Sequence, residues 1–144
     1  MMEEQAQAAI GAALCETGQR IDAWSRLFSV AALLACALPP PSAVWPFLLA
    51  GILLAGLGQL FYALRTGFDR AIFAHWLAQP ENAAAPGLAA FDQALLEARL
   101  AKRVQERTLG ERVAGVRRLV HGQLLALGGQ IAGTLGAAAL LLLH

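Results

Sequence analysis

Residues 27–64 form a run of 38 positions without one charged side chain, and Pro39, Pro40 and Pro41 interrupt it near its middle. A run this long is apolar enough to enter a bilayer. The prolines forbid a single helix through it, because each removes a backbone donor and clashes with the preceding turn. The run therefore reads as a helical hairpin with arms 24–38 and 44–64. The second arm reaches about 30 Å at 1.5 Å per residue, the thickness of a hydrocarbon core. Pro46 sits in its first turn, where a missing N–H costs little. Trp45 and Tyr62 are expected at the two membrane interfaces. The first arm reaches only about 22 Å. It either spans, with Arg26 snorkelling and the proline segment completing the crossing, or forms half of a re-entrant hairpin.

A second uncharged stretch covers 119–143, with His121 its single titratable residue. Twenty-five residues suffice to span with some tilt. Upstream, Thr108-Leu-Gly-Glu111 has the S/T-x-x-E pattern of a capping box, so a new helix is expected to begin at Thr108 and run into this stretch.

Composition agrees. The chain is 58% hydrophobic and 15% charged, against about 25% charged for soluble domains. Its apolar residues are mainly Leu, Ala and Gly, which favours helix over strand. The start, Met-Met-Glu-Glu, lacks a basic n-region, so no cleavable targeting peptide is expected. A net charge of +1 gives no reason to expect nucleic acid. Cys15 and Cys36 fall at different depths, which disfavours a disulfide, and no Cys/His spacing suggests a metal. His121 and His144 stand about 34 Å apart along one helix, so they cannot ligate one haem. No cofactor is expected.

Charge is distributed on one side. Nine of the eleven Lys and Arg lie in 65–118 and the other two are Arg20 and Arg26. The positive-inside rule then puts the N-terminus and the 65–118 segment in the cytoplasm and, for three crossings, the C-terminus on the opposite side. Arg112, Arg117 and Arg118, just before the last span, read as membrane-surface anchors. Within 65–118, Phe68, Ile72 and Trp76 recur every four residues, the mark of an amphipathic helix continuing from the second arm to near Pro80. A second helix over 88–107 carries Phe91 and Leu95, and the two are expected to pack as a cytoplasmic amphipathic hairpin. Residues 1–22 read as an amphipathic segment or a frayed tail. The expected fold is an all-α integral membrane protein with about three transmembrane helices. Its segments are 1–22, a transmembrane hairpin 23–64, the cytoplasmic hairpin 65–118 and a last span 119–144.

Two stripes of small residues lie in the spans. Gly122, Ala126, Gly129, Gly133 and Gly136 repeat at spacings of 4 and 3 on the last helix, and Gly51, Ala55 and Gly58 do so on the second arm. Small residues permit close backbone approach and hence helix association in lipid. The stripes either pack on one another or hold a partner. Gln59 and Gln130, inside spans, are expected to bond across helices rather than line a solute path, because no ionisable residue accompanies them. No nucleophile–base pair, carboxylate pair or phosphate loop stands out.

The function expected from this set is a non-catalytic accessory or assembly subunit of a larger membrane complex, with membrane lipid and other subunits as partners. The Ala/Leu/Gly/Arg-rich composition suits a bacterial inner membrane. The alternative is a small homo-oligomeric pore, holin-like or transport protein.

Overall fold

A computed structural model describes residues 2–78, 97 and 108–143. Among the described residues there are three long helices: α1 (Met2–Ala35), α2 (Trp45–Leu77) and α3 (Leu109–Leu142). No strand occurs among the described residues. Each helix packs on both others. Gly18 lies against Gln123, while Gly11 lies against Phe73 and Gly133 against Ile52. The order is therefore up, down, up, with α1 and α3 parallel and α2 antiparallel to both.

The sequence accounts for the helix ends. Pro39 to Pro41 stop α1, whose last turn closes with Cys36 N–H donating to Ala32 O at 3.1 Å. Leu48 N–H donates to Val44 O at 3.1 Å, so Pro46 replaces a donor of the first turn that has no intrahelical partner. At α3, Glu111 N–H donates to Thr108 Oγ1 at 3.3 Å and Thr108 N–H donates to Glu111 Oε2 at 2.9 Å, the reciprocal pair of a capping box.

The described part of the N-terminal segment and most of the first arm, separate segments in the sequence reading, share one unbroken helix, Met2–Ala35. Its inward positions are Ala8, Gly11, Cys15, Gly18, Asp22, Ser25, Ser29 and Ala32, in alternating steps of three and four. On α3 the buried Leu109, Val116, Gln123, Gln130 and Ala137 are each seven apart. On α2 the buried Leu49, Ile52, Gln59, Thr66 and Phe73 keep the same register. A 3.5-residue repeat on all three helices holds a continuous seam toward the neighbours, as in left-handed coiled packing.

Trp45 is a correction to the expected interfacial anchor. It is 3% exposed and closes one end of the core with Ala32, Leu49, Ile52 and Ala137. It begins the α2 seam, and the small Ala32 and Ala137 leave room for its ring. At the other end Ala8, Cys15, Phe73, Leu109 and Val116 form a second cluster.

The exterior divides in two. Among the described residues, large exposed apolar side chains run from Trp24 to Leu38, from Val44 to Phe68 and from Leu124 to Leu143, with only Ile10 and Leu77 outside these stretches. The packing register brings all three stretches to the same end of the bundle. The charged residues of the three helices, within 3–26, 65–70 and 111–118, gather toward the other end, with Arg26 and Arg65 at the border of the apolar stretches. Among the described residues two helices, α2 and α3, are long and apolar enough to cross a membrane, and of the most apolar 18 residues in each only 17% and 11% are buried between helices. A core helix of a water-soluble protein would have most of that surface covered. Helices of 33 and 34 residues are about 50 Å long, about 20 Å more than a hydrocarbon core requires.

Candidate functional site

The interior is polar where a soluble bundle would be aliphatic. Gln130, fully buried on α3, joins all three helices. Its Oε1 accepts from Ser25 Oγ of α1 at 2.6 Å. Its Nε2 donates to Ser29 Oγ at 3.0 Å and to the Ile52 carbonyl of α2 at 3.2 Å. Thr134 Oγ1 in turn donates to the Gln130 carbonyl at 2.8 Å. Glycine makes this approach possible: a Cβ on Gly56 would lie 3.0 Å from Gln130 Nε2 and would also collide with Ser29 Oγ. The interhelical bonding expected of Gln130 is thus present, with a serine pair that the sequence reading passed over.

Gln59 and Gln123 differ. Both are fully buried, and neither side-chain amide has a hydrogen-bond partner among the described residues. Gln123 lies against Gly18, where a Cβ would stand 2.6 Å from its Oε1. Asp22 completes the inner polar set. Its side chain is 9% exposed and pairs at 2.6 Å with Arg26, whose long stem carries the guanidinium outward. The 3.5 periodicity was the signal that could have found Gln123, Asp22, Ser25 and Ser29; a search restricted to apolar stripes omits them.

The glycines of the two small-residue stripes do not pack on one another. On α3, Gly122 packs on Tyr62, Gly133 on Ile52 and Gly136 on Leu48, so these glycines are used inside the bundle. Gly129 has open space where a side chain would be, and Ala126 is half-buried. On α2, a Cβ on Gly51 or Gly58 would meet nothing within 4 Å; Ala55 between them is half-buried, and Leu54 and Leu57 beside them are exposed. The reason is register. The α2 side chains that meet the α3 glycines are Leu48, Ile52 and Tyr62, so Gly51 and Gly58 fall to the side of that contact line, while Ala55, seven residues from both Leu48 and Tyr62, stays in register with it.

Of the expected hairpin core, Ile72 is buried but Phe68 is 60% exposed. Phe68 is two residues beyond the seam residue Thr66, about 200° around the helix. The inward aromatic is Phe73, fully buried against Gly11. Phe91, Leu95 and the side chain of Trp76 lie outside the described residues, as does the expected 88–107 helix apart from Glu97. Arg112 is half-buried; Arg117 and Arg118 are exposed and line a cleft with Val120, His121 and Leu124.

Burial pushes the Cys15 thiol up to about 12, reinforced by the Asp69 carboxylate and opposed by Arg70. A thiol in that state is neutral and unreactive at ordinary pH. Among the described residues no three His, Cys, Asp or Glu gather closely enough to hold a metal ion. No family model, curated protein or solved structure matches the chain.

Proposed function

We propose that this chain is an integral membrane protein whose three helices share one bilayer, and that it acts as a non-catalytic accessory or assembly subunit of a larger complex, in a bacterial inner membrane. The charged end of the bundle and the 65–118 segment are cytoplasmic in this reading, with the C-terminus opposite. The level placement of the three apolar stretches supports a spanning first arm over a re-entrant one. Trp24 to Leu38 present exposed apolar side chains at the depths covered by α2 and α3, and Ser25 and Ser29 supply the polar partners of Gln130 there.

One observation carries the assembly role. Gly51 and Gly58, on either side of the half-buried Ala55, leave a small-residue edge that the bundle does not fill, and in lipid such an edge gains its association energy by close packing with another helix. The test is purification from the native membrane in mild detergent, with mass and composition measured for the wild type and for Gly51→Leu/Gly58→Leu. A stoichiometric foreign subunit, lost in the double variant while the three-helix fold persists, is the expected result. A wild type isolated without a partner sinks the reading.

The second reading, a homo-oligomeric pore or transport protein, draws on Gln59 and Gln123, whose buried amides lack partners among the described residues. It expects a defined homo-oligomer that makes liposomes leak, with leakage altered by Gln59→Leu.

A further inference from the structure

We propose that a cleft on α3, at the edge of the apolar belt, binds the phosphate of an anionic phospholipid; the inference rests on the membrane placement above but not on the assembly role. The cleft has a volume of about 510 Å³, and the described residues lining it are Arg117, Arg118, Val120, His121 and Leu124. That size suits a headgroup rather than a single ion.

Three observations converge on this occupant. The first is charge without a partner. Arg20 pairs with Glu16, Arg26 pairs with Asp22, and Arg70 donates to Gln19. Arg117 and Arg118 have no such partner among the described residues. Two guanidiniums lining one cleft present forked donors that match phosphate oxygens. The second is polarity along the helix. Arg117, His121 and Leu124 follow at steps of four and three on one face, so the lining changes from cationic to apolar over two turns. A phospholipid has the same order, a phosphate followed by glycerol and acyl chains. The third is depth. Leu124 and Leu125, 51% and 68% exposed, begin the apolar belt on α3, which sets Arg117 and Arg118 at headgroup level. An acidic peptide would satisfy the arginines without using Val120 and Leu124.

The test uses the full chain in mild detergent, with native mass spectrometry and thermal unfolding read after adding phosphatidylglycerol, phosphatidylcholine or inorganic phosphate. Phosphatidylglycerol is expected to remain as a bound adduct and to raise Tm, while the other two do neither. Arg117→Gln/Arg118→Gln should weaken phosphatidylglycerol binding by about 30-fold, from two lost basic contacts near an anionic headgroup. Arg20→Gln should leave it unchanged. Equal retention of phosphatidylcholine overturns the proposal, as does full displacement of the lipid by inorganic phosphate or by an acidic peptide at equal concentration. If the double variant is misfolded by circular dichroism, the three wild-type arms decide alone. A chain folded in phosphatidylcholine nanodiscs without any preference for phosphatidylglycerol defeats the lipid site only. A chain that stays dispersed and folded without detergent defeats the membrane placement itself.

Discussion

The side-chain amide of Gln130 donates to the main-chain carbonyl of Ile52 across the α2–α3 contact at 3.2 Å. That carbonyl already belongs to the α2 ladder, so the bond uses its second lone pair and costs α2 nothing. With Ser25 and Ser29 on the other side, one side chain satisfies its donors and acceptor on two neighbouring helices. In an apolar surround such a group fixes register as well as adding energy, because a slip of one residue would leave it unpaired.

Gln130→Leu is therefore expected to lower stability by about 1–2 kcal/mol, from lost interhelical bonds and stranded hydroxyls. Gln59→Leu should do the opposite. It replaces a fully buried amide that has no partner among the described residues with an apolar side chain, so stability should hold or rise by about 1 kcal/mol. Unfolding of the two variants in the same detergent checks the contrast. Equal losses would mean that Gln59 has a bonding partner after all.

Glycine positions separate in the same way. A Cβ on Gly11 would stand 2.5–2.7 Å from three atoms of the Phe73 ring, which is fully buried and has nowhere to turn. Gly11→Ala is expected to cost about 1–3 kcal/mol through overpacking. Gly51→Ala meets nothing and removes a helix-weakening residue, so it should gain about 0.5–1 kcal/mol in the isolated chain. Pairing Gly11→Ala with Phe73→Leu should recover part of the loss, and a double-mutant cycle on unfolding free energy reads that coupling directly.

The two cysteines give a chemical test of the fold. Cys36 is exposed beyond the end of α1, whereas Cys15 is buried in the seam with its thiol pushed from 9.0 to about 12. A maleimide at neutral pH should label one thiol per folded chain, and both after unfolding. The linkage has a definite sign. Between pH 9 and 12 the folded chain holds a proton on Cys15 that the unfolded chain has lost, so this thiol lowers stability as pH rises through that window and has no effect below it. Cys15→Ala should flatten that part of the pH profile. Two thiols labelled in the native state would place Cys15 outside the core.

The features legible in the sequence were those that depend on local chemistry or on long averages. The prolines ended α1, the Thr108–Glu111 spacing marked the start of α3, and the uncharged runs marked the apolar stretches of α2 and α3. The inner face of α1 was not legible to a search for apolar stripes. The most apolar residue of its first turns, Ile10, is 54% exposed, while the seam runs through Gly11, Cys15, Gly18, Ser25 and Ser29. Where the surround is itself apolar, hydrophobicity no longer distinguishes inside from outside, and side-chain size and hydrogen bonding take over. Trp45 and Phe68 were misplaced for the related reason that an aromatic suits either environment until the register is known.

The cap at Thr108 offers the most local of the tests and connects to the core. Its hydroxyl accepts the Glu111 N–H, and Leu109, the next residue, is 5% exposed in the cluster with Ala8, Cys15 and Phe73. Thr108→Ala removes the acceptor and is expected to cost about 0.5–2 kcal/mol, while Thr108→Ser retains the bond and should cost a fraction of that. Because Leu109 is held in place by this turn, fraying should spread to what packs on it. Amide exchange is then expected to speed up at 109–112 and also near Ala8 on α1, while the amides around Gln130, some 30 Å away along α3, keep their protection. Loss confined to the first turn of α3 would mean that α1 is held there without Leu109, and a uniform loss along all three helices would mean that the bundle unfolds as one unit with no local opening at the cap.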